Sequence, residues 1–246
     1  MGVLSKIHFG TRDAHKIVEK KPFLLRYKTN ELTLLDHYRH LSQLLPIYEV
    51  LEKKLKTQDF HPAIPIELNE LLNRSSQIKK DMAFLSGYIR SENKVVILDS
   101  TATYVNYLEN LAVRQNELNE ELFAHFLVRI LGDLFGGQKI KSYVVSLYER
   151  NKLPLKNQLF SGRDFYSFKE NMLKNFSSWL NELSVDEDKV VQSANNAFIE
   201  NGKVMDALEA SRKSVSLFNI NSFFNAKVIF ASMAAVATAY TYNLLR

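Results

Sequence analysis

The chain has 246 residues, 46% of them hydrophobic and 24% charged, a globular composition that excludes both a disordered chain and one wholly embedded in a membrane. Its formal net charge of +5 suits an anionic ligand or an acidic partner and falls short of a nucleic-acid footprint. It contains no cysteine, which removes disulfides, thiolate metal ligands and cysteine nucleophiles from consideration.

Five prolines and eight glycines are few for this length and favour long helices over many turns. The opening stretch, MGVLSKIHFGTRDAHK, lacks the apolar run of a secretory signal. With the missing cysteines it points to the cytoplasm. A first helix is expected from Thr11 to Lys20, with Thr11 as its cap and Pro22 close behind its end. A long amphipathic helix follows from Leu32 to Leu55, apolar at Leu41, Leu44, Leu45, Tyr48 and Leu51. Pro46 should kink or divide it, because proline lacks an amide proton and clashes with the preceding turn. HPAIP, His61 to Pro65, reads as a turn, and Glu67 to Leu85 as the next helix. ENKVVILDST, Glu92 to Thr101, holds the only strand-like run, and being short and isolated it reads as an irregular connection. Helices are then expected from Ala102 to Val113, Glu117 to Arg150, Asp164 to Leu183 and Asp186 to Arg212. No internal repeat or low-complexity linker interrupts them. The pattern is all-α.

Val228 to Leu245, VIFASMAAVATAYTYNLL, is a run of 18 residues without a charge. As a helix it would span roughly 27 Å, against about 30 Å of bilayer hydrocarbon. Ala231, Ala235 and Ala239 form a small-residue stripe suited to close helix packing. The run reads either as a terminal helix docked on the domain or as a membrane anchor, and Thr238, Thr241 and Asn243 count against the anchor.

RILGDLFGGQKIK, Arg129 to Lys141, places three of the chain's eight glycines in the most helix-like region, where each costs about 0.5–1 kcal/mol relative to alanine. No GK[ST] makes it a P-loop, and no strand precedes it for a dinucleotide turn. Two readings remain. Gly132 and Gly136 permit a close helix–helix crossing, or they bare the backbone for a flat, bulky ligand while Asp133 anchors polar groups or water. His15 lies one helical turn before Glu19, so the two share a face. A metal-bound histidine typically donates its other ring N–H to such an acceptor. Among the other histidines, His37 and His40 flank Arg39 on what reads as a solvated face, His8 and His61 fall in expected loops, and His125 reads as a packed or surface residue. No Glu-x-x-His pair supports a di-iron site, and no nucleophile elbow starts a serine triad.

LGDLFGGQ, Leu131 to Gln138, resembles the distal-helix motif of the heme oxygenase family, with Phe135 in place of the usual serine. TRDAHKIVE, Thr11 to Glu19, resembles that family's proximal-helix segment. LLPIYEVLE, Leu44 to Glu52, and LNRSSQIKKDMAFLSG, Leu72 to Gly87, agree in order and spacing. The similarity covers roughly residues 5 to 212. It implies a single multi-helix domain over residues 1–215, with heme sandwiched between a proximal and a kinked distal helix, and a tail at 216–246.

The resemblance further implies that His15 is the axial iron ligand, with Glu19 supporting its ring. Gly132 and Gly136 would let the distal backbone touch the macrocycle and leave room for oxygen. Asp133 would organise distal water for proton delivery, with Tyr48 and Arg129 beside it. Val18, Leu24 and Phe198 match positions lining the heme faces. Lys174 matches a basic position pairing with a propionate, and Arg12 is a second cation near that edge. Heme would then be both cofactor and substrate, with O2 as co-substrate. Electrons would come from an external reductase or ferredoxin, because nothing in the chain binds flavin or nicotinamide. Biliverdin, carbon monoxide and ferrous iron are the products implied. Three departures bear on this: Phe135 crowds the distal side, Leu127 stands where some members have a propionate-reaching tyrosine, and Glu170 replaces a residue that is basic in some relatives. Two rivals follow, a non-catalytic heme carrier or sensor on the same fold and a helical interaction protein held at a membrane.

Overall fold

The computed structural model describes residues 3–56, 73–89, 95–111, 119–132, 136–154 and 185–212. Among these residues the regular secondary structure is helical, with no strand. In chain order the helices are α1 (Val3–Gly10), α2 (Arg12–Glu19), α3 (Pro22–Lys28), α4 (Leu34–Lys56), α5 (Arg74–Ser86), α6 (Asp99–Asn110), α7 (Glu120–Leu131) and α8 (Gly137–Arg150), followed by α9 at 187–212. Met1–Leu208 forms one compact unit and Glu209–Arg246 a second. Every candidate site residue belongs to the first.

Local chemistry sets the helix starts. Thr33 and Asp36 cap α4 reciprocally: the Thr33 amide donates to Asp36 Oδ2 at 2.9 Å and the Asp36 amide to Thr33 Oγ1 at 3.1 Å, an arrangement that satisfies two otherwise orphaned groups. Asn119 Oδ1 accepts the Leu122 amide at 2.9 Å and caps α7. Pro22 opens α3 at its first turn, where a missing amide proton costs nothing. The same proline was expected only to mark the end of the preceding helix, so α3 is a helix that periodicity did not reveal.

The core forms around α7. All nine residues from Leu122 to Ile130 are buried, which marks a helix surrounded by others rather than lying on a surface. α4 packs against α5 and α6, and α3 against α8. Pro46 sits inside α4 without dividing it. Ile47, Tyr48 and Leu51 beside it are at most 2% exposed. Burial of each side chain contributes about 1.5–3 kcal/mol, which outweighs the roughly 3 kcal/mol cost of an interior proline.

Two histidine expectations are corrected. His8 lies in α1, not in a loop; Val3 and Ile7, four residues apart, are buried and hold that short helix down. His37 and His40 are not on a solvated face but in the core. The unforeseen α3 covers that side of α4. Its Tyr27 hydroxyl lies 2.9 Å from His37 Nδ1 and 2.8 Å from His40 Nδ1, and its Phe23 packs edge-on against His40. A hydroxyl has one proton, so it donates to one imidazole and accepts from the other, and the two histidines hold opposite tautomers. Burial lowers the pKa of His37 to about 4 and that of His40 to about 3.

The irregular connection is observed at 95–98, followed at Asp99 by α6. Gln43, itself buried, pins this extended segment from both sides. Its Nε2 donates to the Val96 carbonyl at 3.1 Å and its Oε1 accepts the Leu98 amide at 2.9 Å. Among the described residues no helix is long and apolar enough to cross a membrane. The tail at 228–245, the turn at 61–65 and the helix expected at 164–183 lie outside those residues.

Candidate functional site

The first half of the site is α2. It is strongly amphipathic in sequence, yet none of its residues is buried. His15 and Glu19 are half exposed, with Nδ1 3.9 Å from Glu19 Oε2. The imidazole stands edge-on against Phe198 of α9, ring centroids 5.4 Å apart. Among the described residues Nε2 has no hydrogen-bond partner, so the ring offers one nitrogen to an acceptor and the other to a ligand.

Close passage of α1 to α3 along α9 holds this helix in place. At Gly10 an added Cβ would stand 2.4 Å from Val191 Cγ1, nearer than such atoms approach, so a side chain there would push the segments apart. Asn195 Nδ2 donates to the Gly10 carbonyl at 3.1 Å. At Gly202 a Cβ would meet Lys21 at 3.3 Å and Val18 Cγ2 at 3.7 Å, so Val18 lies over bare backbone of α9. Lys21 Nζ reaches Asp206 Oδ2 at 2.5 Å. Leu24 packs half-buried on the core behind α2. Arg12 is exposed at the start of α2.

The second half is the end of α7. The helix expected as one piece from Glu117 to Arg150 is observed as α7 and α8, with a wider π-type turn at Gly132 and Gly136; residues 133–135 lie outside the described ones. Such widened turns recur at functional sites. Gly132 (φ −59°, ψ −44°) and Gly136 (φ −73°, ψ −36°) keep helical angles that any residue can adopt. The glycines are therefore not there for backbone freedom. Among the described residues, an added Cβ at either position would meet nothing within 4 Å. The described helices therefore make no close crossing at these two positions.

A polar seam lies on α7 in the two turns before Gly132. Tyr48 of α4 is 2% exposed and Arg129 of α7 9%, and the guanidinium carbon lies 6.0 Å from the Tyr48 ring centroid. His125, one turn earlier on α7, is fully buried, so of the two readings for it the packed one holds. Its Nδ1 is 2.7 Å from the Tyr104 hydroxyl of α6, and Tyr107 flanks its ring with centroids 5.4 Å apart. The Tyr107 hydroxyl donates to Glu121. Burial pushes the Tyr104 pKa up to about 12 and lowers that of His125 to about 4, the latter helped by the Arg129 charge. Among the described residues, Arg129 Nε and Nη2, His125 Nε2, Thr101 Oγ1 and Asn201 Oδ1 are buried without a hydrogen-bond partner. Buried polar atoms of this kind call for ordered water.

The structure thus brings together His15, Glu19, Val18 and Phe198 on one side and Tyr48 with Arg129 on another. Asp133 and Lys174 lie outside the described residues, as do Phe135 and Glu170. Leu127 is fully buried in the core. Tyr104, Tyr107, Glu121 and Asn201 were not singled out from sequence. The four-residue spacing of His125, Arg129 and Asp133 was the available signal for the seam, since it makes one polar stripe on an apolar helix. Among the described residues no three His, Asp or Glu side chains gather to hold a metal ion. A lone imidazole facing solvent suits a metal that brings its other ligands with it. The bare glycine backbone suits a flat ring, and the two features fit heme.

Comparison with known proteins agrees. A family model described as heme oxygenase matches residues 1–207. The chain is 25% identical over 242 residues to heme oxygenase 1 of the cyanobacterium Nostoc, covering 95% of this chain and 97% of that one. It is 29% identical over 218 residues to heme oxygenase of Porphyra purpurea, covering 84% and 86%. In fold it is similar to heme oxygenase-1 from the cyanobacterium Synechocystis, solved in complex with heme (TM-score 0.71, 24% identity, 91% and 100% covered). It is also similar to heme oxygenase from Leptospira interrogans (TM-score 0.66, 23% identity, 84% and 99% covered). With that family model matched over residues 1–207, most of its length, this chain belongs to the heme oxygenase family.

Proposed function

We propose that the protein is a heme oxygenase, an enzyme that uses O2 and electrons from an external reductase or ferredoxin to open heme into biliverdin, carbon monoxide and ferrous iron. The observation that carries this reading is the side-chain-free backbone at Gly132 and Gly136, where among the described residues an added Cβ would meet nothing within 4 Å, in a chain of this family. When bound, heme supplies the redox-active iron and the ring carbon that is attacked.

The chain's own residues supply the rest. His15 Nε2 would bind the iron, while Glu19 would hold the ring through Nδ1, directly or through water, and so set the tautomer. Val18, Leu24 and Phe198 would pack against the macrocycle, and Arg12 and Lys174 would receive its carboxylates. Gly132 and Gly136 would admit the ring. Asp133 would order water beside it, together with Tyr48 and Arg129, and deliver protons through that water. The test is an anaerobic heme titration followed by oxygen and a reductant. An enzyme converts the heme Soret band into bilin absorption, a carrier or sensor keeps the Soret band, and an interaction protein shows no binding at micromolar heme.

Two variants separate the parts. Gly132→Ala and Gly136→Ala are each expected to stabilise the ligand-free chain by about 0.5–1 kcal/mol, since the new methyl meets nothing among the described residues. The same variants should bind heme about 5- to 150-fold more weakly, the factor that 1–3 kcal/mol of overpacking implies. Denaturation of the apo protein and heme titration read the two effects. Asp133→Ala is expected to bind heme as the parent does while biliverdin yield falls about 100-fold or more, with heme consumed instead by peroxidase-like side reactions. A parental biliverdin yield would remove the carboxylate from the proton path.

A further inference from the structure

The stretch from α1 to α3 runs beside α9 in the same direction, since its contacts advance together along both. Gly10 meets Val191 and Asn195, His15 meets Phe198, and Lys21 meets Asp206. The partners on α9 recur at helical spacing and so share one face. α2 buries none of its own residues, so its seat on α9 is set largely at its flanks. The Lys21–Asp206 pair is exposed to solvent, and such pairs contribute little. The firm flank is the one at Gly10.

Among the described residues no glycine has a positive φ, so the backbone at position 10 does not call for glycine. Space does. An added Cβ would stand 2.4 Å from Val191 Cγ1 but 3.5 Å from Val191 Cβ, so the obstruction comes from the branches of one side chain. Valine in a helix keeps one strongly preferred rotamer, and the branch cannot swing aside cheaply. Carbon atoms pack at about 3.5–4.0 Å, so a side chain at position 10 would part the two segments by about 1 Å. Asn195 Nδ2 closes the same contact, donating to the carbonyls of Gly10 at 3.1 Å and Val191 at 3.0 Å. The helical bonding continues from there to the imidazole: the Thr11 amide donates to the Ile7 carbonyl and the His15 amide to the Thr11 carbonyl, each at 2.9 Å. We propose that Gly10, Val191 and Asn195 are positioning residues for His15. Their contact fixes how closely α2 lies on α9, and with it where the imidazole stands against Phe198 and presents its free nitrogen. The inference rests on the heme oxygenase reading only for what that nitrogen binds.

The test has one arm without heme and one with it. In the ligand-free full chain, NMR of the His15 ring protons reads their distance from Phe198 through its ring-current shift, which is the part of the signal lost in Phe198→Leu. Gly10→Ala should shrink that shift. Adding Val191→Ala should restore it, because the Cβ that remains stands at ordinary contact distance. Heme titration should follow the same order. Gly10→Ala should bind about 10–100-fold more weakly, the range for residues that orient a metal ligand, and the double variant should return close to the parental affinity. Asn195→Ala removes the tether without adding bulk, should move both readings in the same direction, and carries the test if Gly10→Ala does not fold. A parental ring-current shift in folded Gly10→Ala would overturn the proposal. So would a double variant no better than Gly10→Ala, or a parental shift and affinity in Asn195→Ala. If the parent chain binds no heme, the proposed function fails, while the NMR arm still decides what holds the imidazole in place.

Discussion

His15→Ala is expected to lose tight heme binding, with affinity falling by more than about 100-fold, and to produce no biliverdin. Loss of a supporting residue around a metal ligand already costs about 10–100-fold, and here the ligand itself goes. The fold should survive, because the side chain is half exposed and its recorded contacts are the ring of Phe198 and the carboxylate of Glu19. Added imidazole can enter the vacated space and restore part of the heme spectrum and turnover. Glu19→Gln is the graded companion, weakening heme binding about 10–100-fold without abolishing it. Heme titration by absorbance, with and without imidazole, measures all three. Unchanged spectra and turnover in His15→Ala without imidazole would refute the axial assignment and send the search to another ligand.

Mild acid should unfold the protein. His37, His40 and His125 are buried and neutral, with pKa values lowered to about 4, 3 and 4, chiefly by desolvation and secondarily by neighbouring charge: Arg74 beside His37, His37 and then Arg129 and Arg74 beside His40, and Arg129 beside His125. In the unfolded chain each titrates near 6.5. A depressed histidine pKa means that the folded state refuses a proton that the unfolded state accepts. The contribution is therefore intact above about pH 6.5 and is lost progressively as the pH falls toward the folded values. At pH 5 each histidine costs about 2 kcal/mol and the three together about 6 kcal/mol. Whole-domain stability is about 5–15 kcal/mol, so a cooperative collapse near pH 5 is expected. Helical circular dichroism against pH and denaturant gives the measurement. Stability should fall by about 3–4 kcal/mol per pH unit between pH 6 and 5, and replacing one of the three with a non-titrating polar residue should flatten that slope by about a third. A flat profile down to pH 4.5 would show that these rings can be charged where they lie.

How far the sequence reaches can be judged element by element. The 3.6-residue rhythm located α4 and α9 to within two residues of their observed ends. The glycine spacing marked the place where α7 gives way to wider turns, and the motifs on α2 and α7 named the family before any packing was known. All of these are short-range properties. Backbone sterics and i to i+4 neighbours determine them, so they are legible one segment at a time.

The fate of the polar side chains was not legible in that way. His37 and His40 read as a wet face, since nothing within a turn of them reveals that α3 will lie across α4 and supply Tyr27 as their shared partner. Pro46 read as a break, because the burial that offsets it comes from other helices. His125 looked incidental until Tyr104 and Arg129 closed around it. By itself the sequence determined an all-helical chain of a recognisable family, with a histidine and a glutamate sharing one helix face and glycines baring another helix. Only the tertiary structure decided which histidines are buried and neutral and which side chains close around them. Desolvation and hydrogen-bond direction depend on whichever surface comes to rest against a residue, and chain spacing carries no record of that surface.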